Sequence, residues 1–309
     1  MLLGNNGIST RHVAVDSIEE MFDVSPDALH ARFSTHAPAL AEKAARRALE
    51  AAGTPLGQVD GLVISTCTGY LCPGLTSYVV ERLGLRNDIT ALDLVGHGCG
   101  AALPNLNVAE SLLKAQKARV VLSICVEVCS AAFYLDDDPG VLISACLFGD
   151  AAGALVLSNA APSTPARIEW KTSWSIMDPA ARDLLRFEQR SGMLRNILTR
   201  EVPALAAGKA EQVLRHVLQT AGLHKKEIAT WIVHAGGRDV LSAVGERLSL
   251  APESLRWSAA VLNDLGNVSS PFVIHVLERA LSGGAPRGYW WMTSFGAGFS
   301  CHGALLDVQ

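Results

Sequence analysis

The sequence predicts a layered α/β fold. Short apolar segments alternate with segments of helical periodicity along most of its 309 residues. The clearest apolar segment, residues 61–64, shows no alternation with polar residues, which is typical of strands in a sheet covered on both faces. A glycine-rich turn leading into an apolar strand occurs at residues 147–157 and again at residues 294–306. We therefore expect the second part of the chain to repeat the architecture of the first.

The first half reads as alternating helices and strands. Residues 1–36 carry no regular pattern, and Gly53-Thr54-Pro55 ends the first helix. Helices are predicted over residues 37–52, 77–83 and 107–115. Strands are predicted over residues 61–64, 89–95, 119–126 and 147–157. The acidic run Asp136-Asp137-Asp138 stands before Pro139-Gly140, and we interpret it as a solvated turn rather than a metal site.

A segment rich in Ser, Asn, Pro, Thr and Ala, residues 158–166, is interpreted as a linker. The two halves are therefore predicted as residues 1–160 and 161–309. A strand near Arg167 opens the second half, and an arginine-rich connection follows it through residue 200. Helices are predicted over residues 202–221, 238–249 and 270–282. Strands are predicted over residues 229–233 and 288–293.

The composition argues against several classes of protein. The net charge is −4 without a basic block, so nucleic acid and anionic membranes are not expected partners. No uncharged apolar run reaches the ~18 residues of a membrane span, and the first residues lack a signal-peptide pattern. Charged residues make up only 18% of the chain, which favours a large buried interior and a subunit interface. Seven cysteines without a CxxC pair predict neither a disulfide framework nor a zinc site, and favour a reducing cytoplasm.

Cys99 is the clearest candidate for chemistry. It lies in Gly98-Cys99-Gly100, between a predicted strand and a predicted helix, where the glycines permit a tight turn. Pro104 suits the first turn of the following helix. A thiol at this junction lies near the positive end of the helix dipole, which favours the reactive thiolate. The local sequence leaves two interpretations open, a nucleophile or a small buried cysteine under a glycine turn.

His234 and Asn267 are the other two candidates. His234 follows an apolar strand and precedes Gly236-Gly237, at the strand end where catalytic groups gather in α/β sheets. Asn267 stands in Gly266-Asn267-Val268-Ser269-Ser270, just before a helix. Taken singly, the first fits a buried structural histidine and the second a helix cap or turn former. Taken with Cys99, each in a glycine-containing turn, they indicate one catalytic site.

The chain resembles the type III polyketide synthases, the chalcone synthase-like branch of the thiolase superfamily. Five segments carry the resemblance: Gly98-Cys99, 231–237, 265–270, 147–150 and 295–298. It implies a thiolase-like layered fold of two similar α/β halves. The family's usual amino-terminal strand and helix, and basic residues there that hold coenzyme A phosphates, have no counterpart in this sequence.

The resemblance also implies a reaction. Cys99, paired with His234 as thiolate and imidazolium, would attack an acyl thioester and carry the acyl group. His234 and Asn267 would donate hydrogen bonds to the thioester oxygen of a malonyl extender while carbon dioxide leaves. A decarboxylative Claisen condensation onto the starter would follow. The expected substrates are malonyl-CoA with an acyl-CoA or carrier-protein thioester, and no permanently bound cofactor or metal is expected.

Five pocket positions follow from the same resemblance. Phe148 corresponds to an aromatic gate before the entry tunnel, with ordinary core packing as the alternative. Phe295 corresponds to a pocket-lining position. Cys67 replaces a common threonine, and Cys129 and Ala132 stand where plant enzymes often carry threonines. The small residues at 129 and 132 predict a roomier cavity, in which bulky substitution would shorten the product.

The resemblance further implies a homodimer, because the family's loop around Cys72-Pro73 approaches the cavity of the partner subunit. Arg11 and the arginines at 182, 186, 190, 195 and 200 could contact phosphates, but a solvated basic face is the simpler interpretation. An acyl carrier protein is a further candidate partner.

Three functions are open at this point. The first is a type III polyketide synthase-like acyltransferase. The second is a ketosynthase III-like enzyme that performs a single condensation, or acyl transfer from a carrier protein. The third is an inactive partner subunit that supports a heterodimer, although such subunits commonly lose one of the three catalytic residues.

Overall fold

The computed structural model describes residues 6–134, 138–160 and 167–309, and residues 1–5, 135–137 and 161–166 lie outside this description. The first sheet has the strand order β2-β1-β3-β4. Its strands are β1 (Gly61–Ser65), β2 (Thr90–Leu94), β3 (Val120–Glu127) and β4 (Ala151–Ser158). The first three strands run parallel, and β4 runs antiparallel to β3. This mixed sheet places the carboxyl ends of β1 and β3 on the same edge.

The second sheet repeats this arrangement, as the sequence predicts. Its strands are β5 (Ile168–Met177), β8 (Ile228–Val233), β9 (Gly288–Gly296) and β10 (Ser300–Val308), in the order β5-β10-β9-β8. β10 pairs antiparallel with β9 just as β4 pairs with β3, and β8 pairs parallel with β9 just as β1 pairs with β3. Strands β6 (Leu185–Arg190) and β7 (Met193–Leu198) form a separate hairpin.

The helices form layers outside and between the sheets. They are α1 (Pro26–Ala51), α2 (Leu75–Leu83), α3 (Ala102–Lys114), α4 (Pro139–Leu147), α5 (Val202–Ala221), α6 (Arg238–Arg247), α7 (Arg256–Leu265) and α8 (Phe272–Ser282). α1 and α2 contact the first sheet, and α5 contacts the second. α3 and α8 contact strands of both sheets, so they form the central layer. This five-layer α/β/α/β/α arrangement is a thiolase-like fold of two similar halves.

The first helix begins earlier than the sequence pattern predicts. α1 starts at Pro26, not at residue 37, because the Ser25 hydroxyl accepts a hydrogen bond from the Ala28 amide and Pro26 fits the first helical turn. Leu29 and Phe33, in the segment predicted to be irregular, are both buried, and Phe33 packs in the core of the first sheet. The proline at position 38 lies inside this helix and obscures its continuity in the sequence.

Helices α4 and α7 and the β6–β7 hairpin were absent from the sequence prediction. Helix α4 begins after Asp138, whose side chain accepts hydrogen bonds from the Gly140 and Val141 amides. Asp138 is therefore a helix cap rather than part of a turn, whereas Asp136 and Asp137 lie outside the described residues. The hairpin β6–β7 occupies the arginine-rich connection. Most of the predicted linker also lies outside the description, so the boundary between residues 160 and 161 stays a prediction.

Each half has a close-packed interior. Trp290, Trp291 and Phe272 are fully buried in the second half, while Phe33 and Ile64 are buried in the first. All seven cysteines are free thiols. None of the helices in the described part of the chain is both long and apolar enough to span a membrane.

Candidate active site

Cys99 lies in a short 3-10 turn, Gly98–Gly100, immediately before α3. Gly98 has a positive φ of 56°, and a Cβ there would lie only 3.1 Å from the Ala297 amide nitrogen. A Cβ at Gly100 would lie 2.8 Å from the Gly296 nitrogen. Glycine at both positions therefore lets the nucleophile turn pack directly on the turn between β9 and β10. The packing fixes Cys99 where the two halves meet.

Asn267 presents its amide nitrogen toward Cys99. Its Oδ1 accepts a hydrogen bond from the Ser269 amide at 2.8 Å, and its Nδ2 donates to the Gly236 carbonyl at 3.2 Å. The side chains of Ser269 and Asn267 both act to lower the pKa of the Cys99 thiol, which places them close to it. Because the amide oxygen is already engaged, the nitrogen is the end available to the site, and Asn267 acts as a donor.

The turn that carries Asn267 is bound to the segment after α4. The Asn267 amide donates to the Leu147 carbonyl at 2.9 Å, and the Gly149 amide donates to the Asn267 carbonyl at 3.1 Å. Gly266 has a φ of 72°, and a Cβ there would lie 2.8 Å from the Leu147 oxygen. These bonds bring Phe148 into a parallel bridge with Asn267, so the candidate gate and the candidate donor share one backbone contact.

His234 follows β8 and is 2% exposed. Its amide donates to the Thr293 carbonyl at 2.9 Å, and its ring stands edge-on to Phe272 with a centroid separation of 5.1 Å. Nε2 faces Gly236, the residue whose carbonyl holds Asn267, whereas the buried Nδ1 has no hydrogen-bond partner within residues 6–134, 138–160 and 167–309. The structure thus joins His234 to Asn267 through Gly236, and Asn267 to Cys99.

Burial shifts both titratable groups toward their neutral forms. Loss of solvation raises the pKa of the Cys99 thiol to about 11, although hydrogen bonds from Ser269 and Asn267 oppose the rise. Burial lowers the pKa of His234 to about 3. Each charge is unfavourable by itself, so we expect a thiolate to form only together with the imidazolium, by transfer of one proton from sulfur to the ring. In the sequence analysis the helix dipole favours the thiolate and the resemblance implies an ion pair with His234, and neither argument includes this cost of burial.

This coupling predicts the pH dependence of a His234→Ala variant. Without the ring as proton acceptor, Cys99 keeps a raised pKa, so its thiolate fraction is small at pH 7 and grows as the pH approaches 11. We expect alkylation of Cys99 by iodoacetamide to be about 100-fold slower than in the wild type at pH 7, and to rise about tenfold per pH unit up to pH 9. Mass spectrometry of the Cys99 peptide measures both rates, and equal rates with and without His234 would contradict the coupling.

Glu127 lies beneath the site and is fully buried at the end of β3. It accepts hydrogen bonds from the hydroxyls of Thr68 and Ser270, at 2.9 and 2.5 Å, and from the Cys67 amide at 2.9 Å. Burial raises the pKa of Glu127, and these bonds oppose the rise. The carboxyl group therefore joins the loop after β1 to the turn that carries Asn267. The sequence identifies the residue as acidic, but only the fold shows the two loops that it connects.

A small cavity of about 10 Å³ lies next to this network. Cys129, Ala132 and Phe148 are in its wall, as the resemblance implies. The remaining lining residues come from the first half, from the β6–β7 hairpin and from the turn that carries Asn267: Thr68, Phe133, Val141, Ser144, Phe187, Leu194, Asn196 and Ser269. This volume is far below the roughly 300–1,000 Å³ of small-molecule sites, so the walls would have to move apart to admit a growing chain. The hairpin's contribution could not be anticipated, because the hairpin itself was not predicted.

A second, more open groove of about 310 Å³ reaches the Gly98–Gly100 turn from outside. Cys67 and Gly98 lie in its wall, as do Tyr70 and Arg186. Phe187 lines both the groove and the internal cavity, so it stands between them. Phe148 lines the cavity alone, which makes Phe187 an aromatic residue of the passage that sequence reasoning missed.

Phe295 lines neither of these two spaces. It is 3% exposed within the second half's core, and its ring stacks near Phe299 with a centroid separation of 6.4 Å. The resemblance implies a pocket-lining position for Phe295, but its side chain lines neither space and packs in the core of the second half. Phe295 therefore contributes to the core of the second half and not to the wall of the cavity or the groove.

The arginines are engaged rather than solvated. Arg11 donates to the carbonyls of Ala145 and Phe148, the latter at 3.3 Å, and so supports the segment that contacts Asn267. Arg186 and Arg195 both pair with Glu188, at 2.7 and 3.0 Å. The interpretation as a solvated basic face is wrong for Arg186 and Arg195, because the predicted connection folds into a hairpin whose Glu188 pairs with both. No group of three or more His, Cys, Asp or Glu side chains among the described residues could hold a metal ion.

A thiolase-like fold that holds a cysteine, a histidine and an asparagine at the meeting point of its halves defines a condensing enzyme that works on thioesters. Comparison with known proteins identifies the family of condensing enzymes to which the chain belongs. Residues 2–176 match the FAE1/type III polyketide synthase-like protein family, and residues 179–307 match the carboxy-terminal domain of chalcone and stilbene synthases. The chain belongs to the type III polyketide synthases, acyltransferases that condense malonyl-CoA units.

Individual relatives agree with this assignment. The chain is 33% identical to 3,5-dihydroxyphenylacetyl-CoA synthase of Streptomyces toyocaensis over 84% of its length and 68% of the relative's. It is 30% identical to 1,3,6,8-tetrahydroxynaphthalene synthase of Streptomyces griseus over 98% of its length and 82% of the relative's. The crystal structure of the Streptomyces coelicolor A3(2) tetrahydroxynaphthalene synthase superimposes with a TM-score of 0.91 at 25% identity, covering 100% of this chain and 88% of that one.

Proposed function

We propose that Cys99 carries the acyl starter and that His234 and Asn267 drive decarboxylation of a malonyl-CoA extender. The observation that supports this most directly is the orientation of Asn267. Its amide nitrogen donates to the Gly236 carbonyl beside His234, its oxygen is held by Ser269, and its side chain lowers the pKa of the Cys99 thiol. A hydrogen-bond donor is therefore aimed at the place where the oxygen of a thioester would lie.

The first half-reaction loads the enzyme. The Cys99 proton passes to His234, and the sulfur attacks the carbonyl carbon of the acyl-CoA. The bond from that carbon to the coenzyme A sulfur breaks, and the leaving thiolate takes the proton back from His234. The products are an acyl group on Cys99 and free coenzyme A.

The second half-reaction extends the chain. The malonyl carboxylate leaves as carbon dioxide, and its electron pair moves onto the thioester oxygen as an enolate. N–H groups of His234 and Asn267 hold that oxygen, an effect worth about 3–4 kcal/mol per donor in comparable sites. The enolate carbon then attacks the acyl carbon and expels the Cys99 thiolate. Family membership supports repetition of this cycle rather than a single condensation, and we propose that no permanently bound cofactor takes part.

The test is incubation with malonyl-CoA and a panel of acyl-CoA starters, followed by mass spectrometry of the products. Products that are extended by two or more malonyl-derived units are expected. A single extension only would favour the ketosynthase III-like alternative. Acylation only from a carrier protein, and never from coenzyme A, would favour the carrier-protein alternative.

The cavity predicts how the product length is set. Ala132 is in its wall, so a large side chain there would occupy space that the growing chain needs. We expect Ala132→Phe to shorten the main product by at least one malonyl-derived unit, whereas Ala132→Ser, which barely changes the volume, should leave the length as it is. Product masses measure this, and an unchanged product length in Ala132→Phe would contradict the proposal.

We further propose that the protein is a homodimer that joins through β2. Within the described residues this strand pairs with β1 along only one edge. Leu92 and Val95 are 38% and 58% exposed along it, and Tyr70 on the neighbouring loop is 70% exposed. Large apolar side chains beside an unpaired strand edge are typical of a surface that another chain covers. Cys99 follows this strand closely, so a partner would also shield the nucleophile turn.

A charge on this edge should separate the subunits. We expect Leu92→Arg to convert a dimer into a monomer, as measured by light scattering after size-exclusion chromatography. Ile168→Arg is the matched control, because Ile168 is 39% exposed on the edge strand of the second sheet and should leave the dimer intact. A Leu92→Arg variant that stays dimeric would place the interface elsewhere.

A further inference from the structure

The cavity next to the Glu127 network has a mostly apolar wall with four polar residues: Thr68, Ser144, Asn196 and Ser269. The three hydroxyl groups are occupied by bonds within the protein. Thr68 donates to Glu127 at 2.9 Å, and the single proton of the Ser269 hydroxyl is shared between Glu127, at 3.3 Å, and the Cys99 thiol. Ser144 donates to the Gly140 carbonyl one helical turn earlier, at 2.7 Å. None of these hydroxyl protons is free to bind a ligand.

Asn196 differs from the other three. It is 5% exposed on β7, and its Nδ2 donates to the Ser144 oxygen at 3.1 Å. Because the Ser144 proton already points to Gly140, that oxygen must accept, which fixes the amide nitrogen of Asn196 on the Ser144 side. The Asn196 oxygen accepts no hydrogen bond from any residue that the structure describes, and one N–H of the amide is also unused.

Packing an alkyl chain against the unpaired amide of Asn196 is energetically unfavourable. A polar atom that is buried beside a ligand without a hydrogen-bond partner disfavours that ligand relative to one that supplies the partner. A poly-β-keto chain carries an oxygen on every second carbon and, in its enol form, an O–H donor as well. It therefore satisfies the amide where a saturated acyl chain leaves it unpaired.

We propose that Asn196 is a specificity-determining residue that hydrogen-bonds a keto or enol oxygen of the growing chain. The proposal rests on the proposed function, because it concerns which acyl groups the condensation accepts. It makes short β-keto acyl groups the preferred intermediates and excludes saturated alkyl starters. Ser144 is the positioning residue that holds the amide in this orientation.

The experiment compares two starters of the same carbon length, acetoacetyl-CoA and butyryl-CoA, each with malonyl-CoA. The ratio of their kcat/KM values reports the contribution of the β-keto oxygen, because the two acyl groups differ only there. The wild type should favour acetoacetyl-CoA by about tenfold or more, since a hydrogen bond in a closed site commonly gives that factor. Asn196→Leu, similar in volume, should reduce the preference about tenfold, with butyryl-CoA turnover unchanged or faster. Ser144→Ala should reduce it to an intermediate value.

The outcomes separate the explanations. An equal loss of kcat/KM for both substrates in Asn196→Leu would show that the residue has only a structural role, and would overturn the proposal. An unchanged preference for acetoacetyl-CoA would overturn it as well. A thermal unfolding midpoint close to that of the wild type establishes that the variant is folded. Absence of any condensation by the wild type would instead contradict the proposed function, so the two failures are distinguishable.

Discussion

Cys99→Ala is expected to abolish condensation, with a loss of at least about 10⁴-fold in product formation from malonyl-CoA and an acyl-CoA starter. The substitution removes the thiol that would carry the acyl group, and no other group in the site can replace a sulfur nucleophile at that position. Product mass spectrometry measures the effect. Persistent product at more than a hundredth of the wild-type rate would remove Cys99 from its assigned role.

The matched control is Cys146→Ala. Cys146 is a half-buried free thiol on α4 that lines neither the cavity nor the groove. Activity within about twofold of the wild type is expected there, because a small thiol-to-methyl change outside the site leaves the packing almost unaltered. A comparable loss in both variants would indicate damage to the fold instead of loss of the nucleophile.

Asn267→Ala should affect the two half-reactions differently. We expect decarboxylation and condensation to fall by about 10²–10³-fold, because one donor to the enolate oxygen is lost. Loading of Cys99 from the acyl-CoA should continue, since the proton acceptor, His234, remains. Release of carbon dioxide from labelled malonyl-CoA and the mass of the acylated protein measure the two steps separately.

Asn263→Ala is the corresponding control. Asn263 lies one turn earlier in α7 and donates to the Ser9 hydroxyl at 2.9 Å on an exposed face. Its replacement should leave both half-reactions within about twofold of the wild type. Equal loss of loading and decarboxylation in Asn267→Ala would show that the residue supports the turn rather than the enolate.

Much of this site could be predicted because its residues lie at strand and helix ends that the sequence marks clearly. β8 is an uninterrupted apolar run that stops at His234, and glycines flank Cys99 and precede Asn267. Local backbone requirements of this kind are visible in a sequence. The repeated turn-and-strand ending likewise predicted two similar halves, in which β4 and β10 occupy equivalent places.

The walls of the cavity could not be predicted in the same way. Helix α4 is apolar almost throughout, so it shows no helical alternation, and the β6–β7 hairpin reads as an arginine-rich connection. Phe187 and Asn196 reach the cavity only because that hairpin folds over it. The pKa values of Cys99 and His234 depend on burial, which arises from long-range packing rather than from the neighbouring residues.

The most direct test is the mass of the protein and of its peptides after incubation with an acyl-CoA starter in the absence of malonyl-CoA. One acyl group per chain, located on the peptide that contains Cys99, is the expected result for the wild type and for Asn267→Ala. Acylation at Cys67 or Cys129 in place of Cys99, or no acylation under conditions where condensation proceeds, would contradict the assignment of the nucleophile.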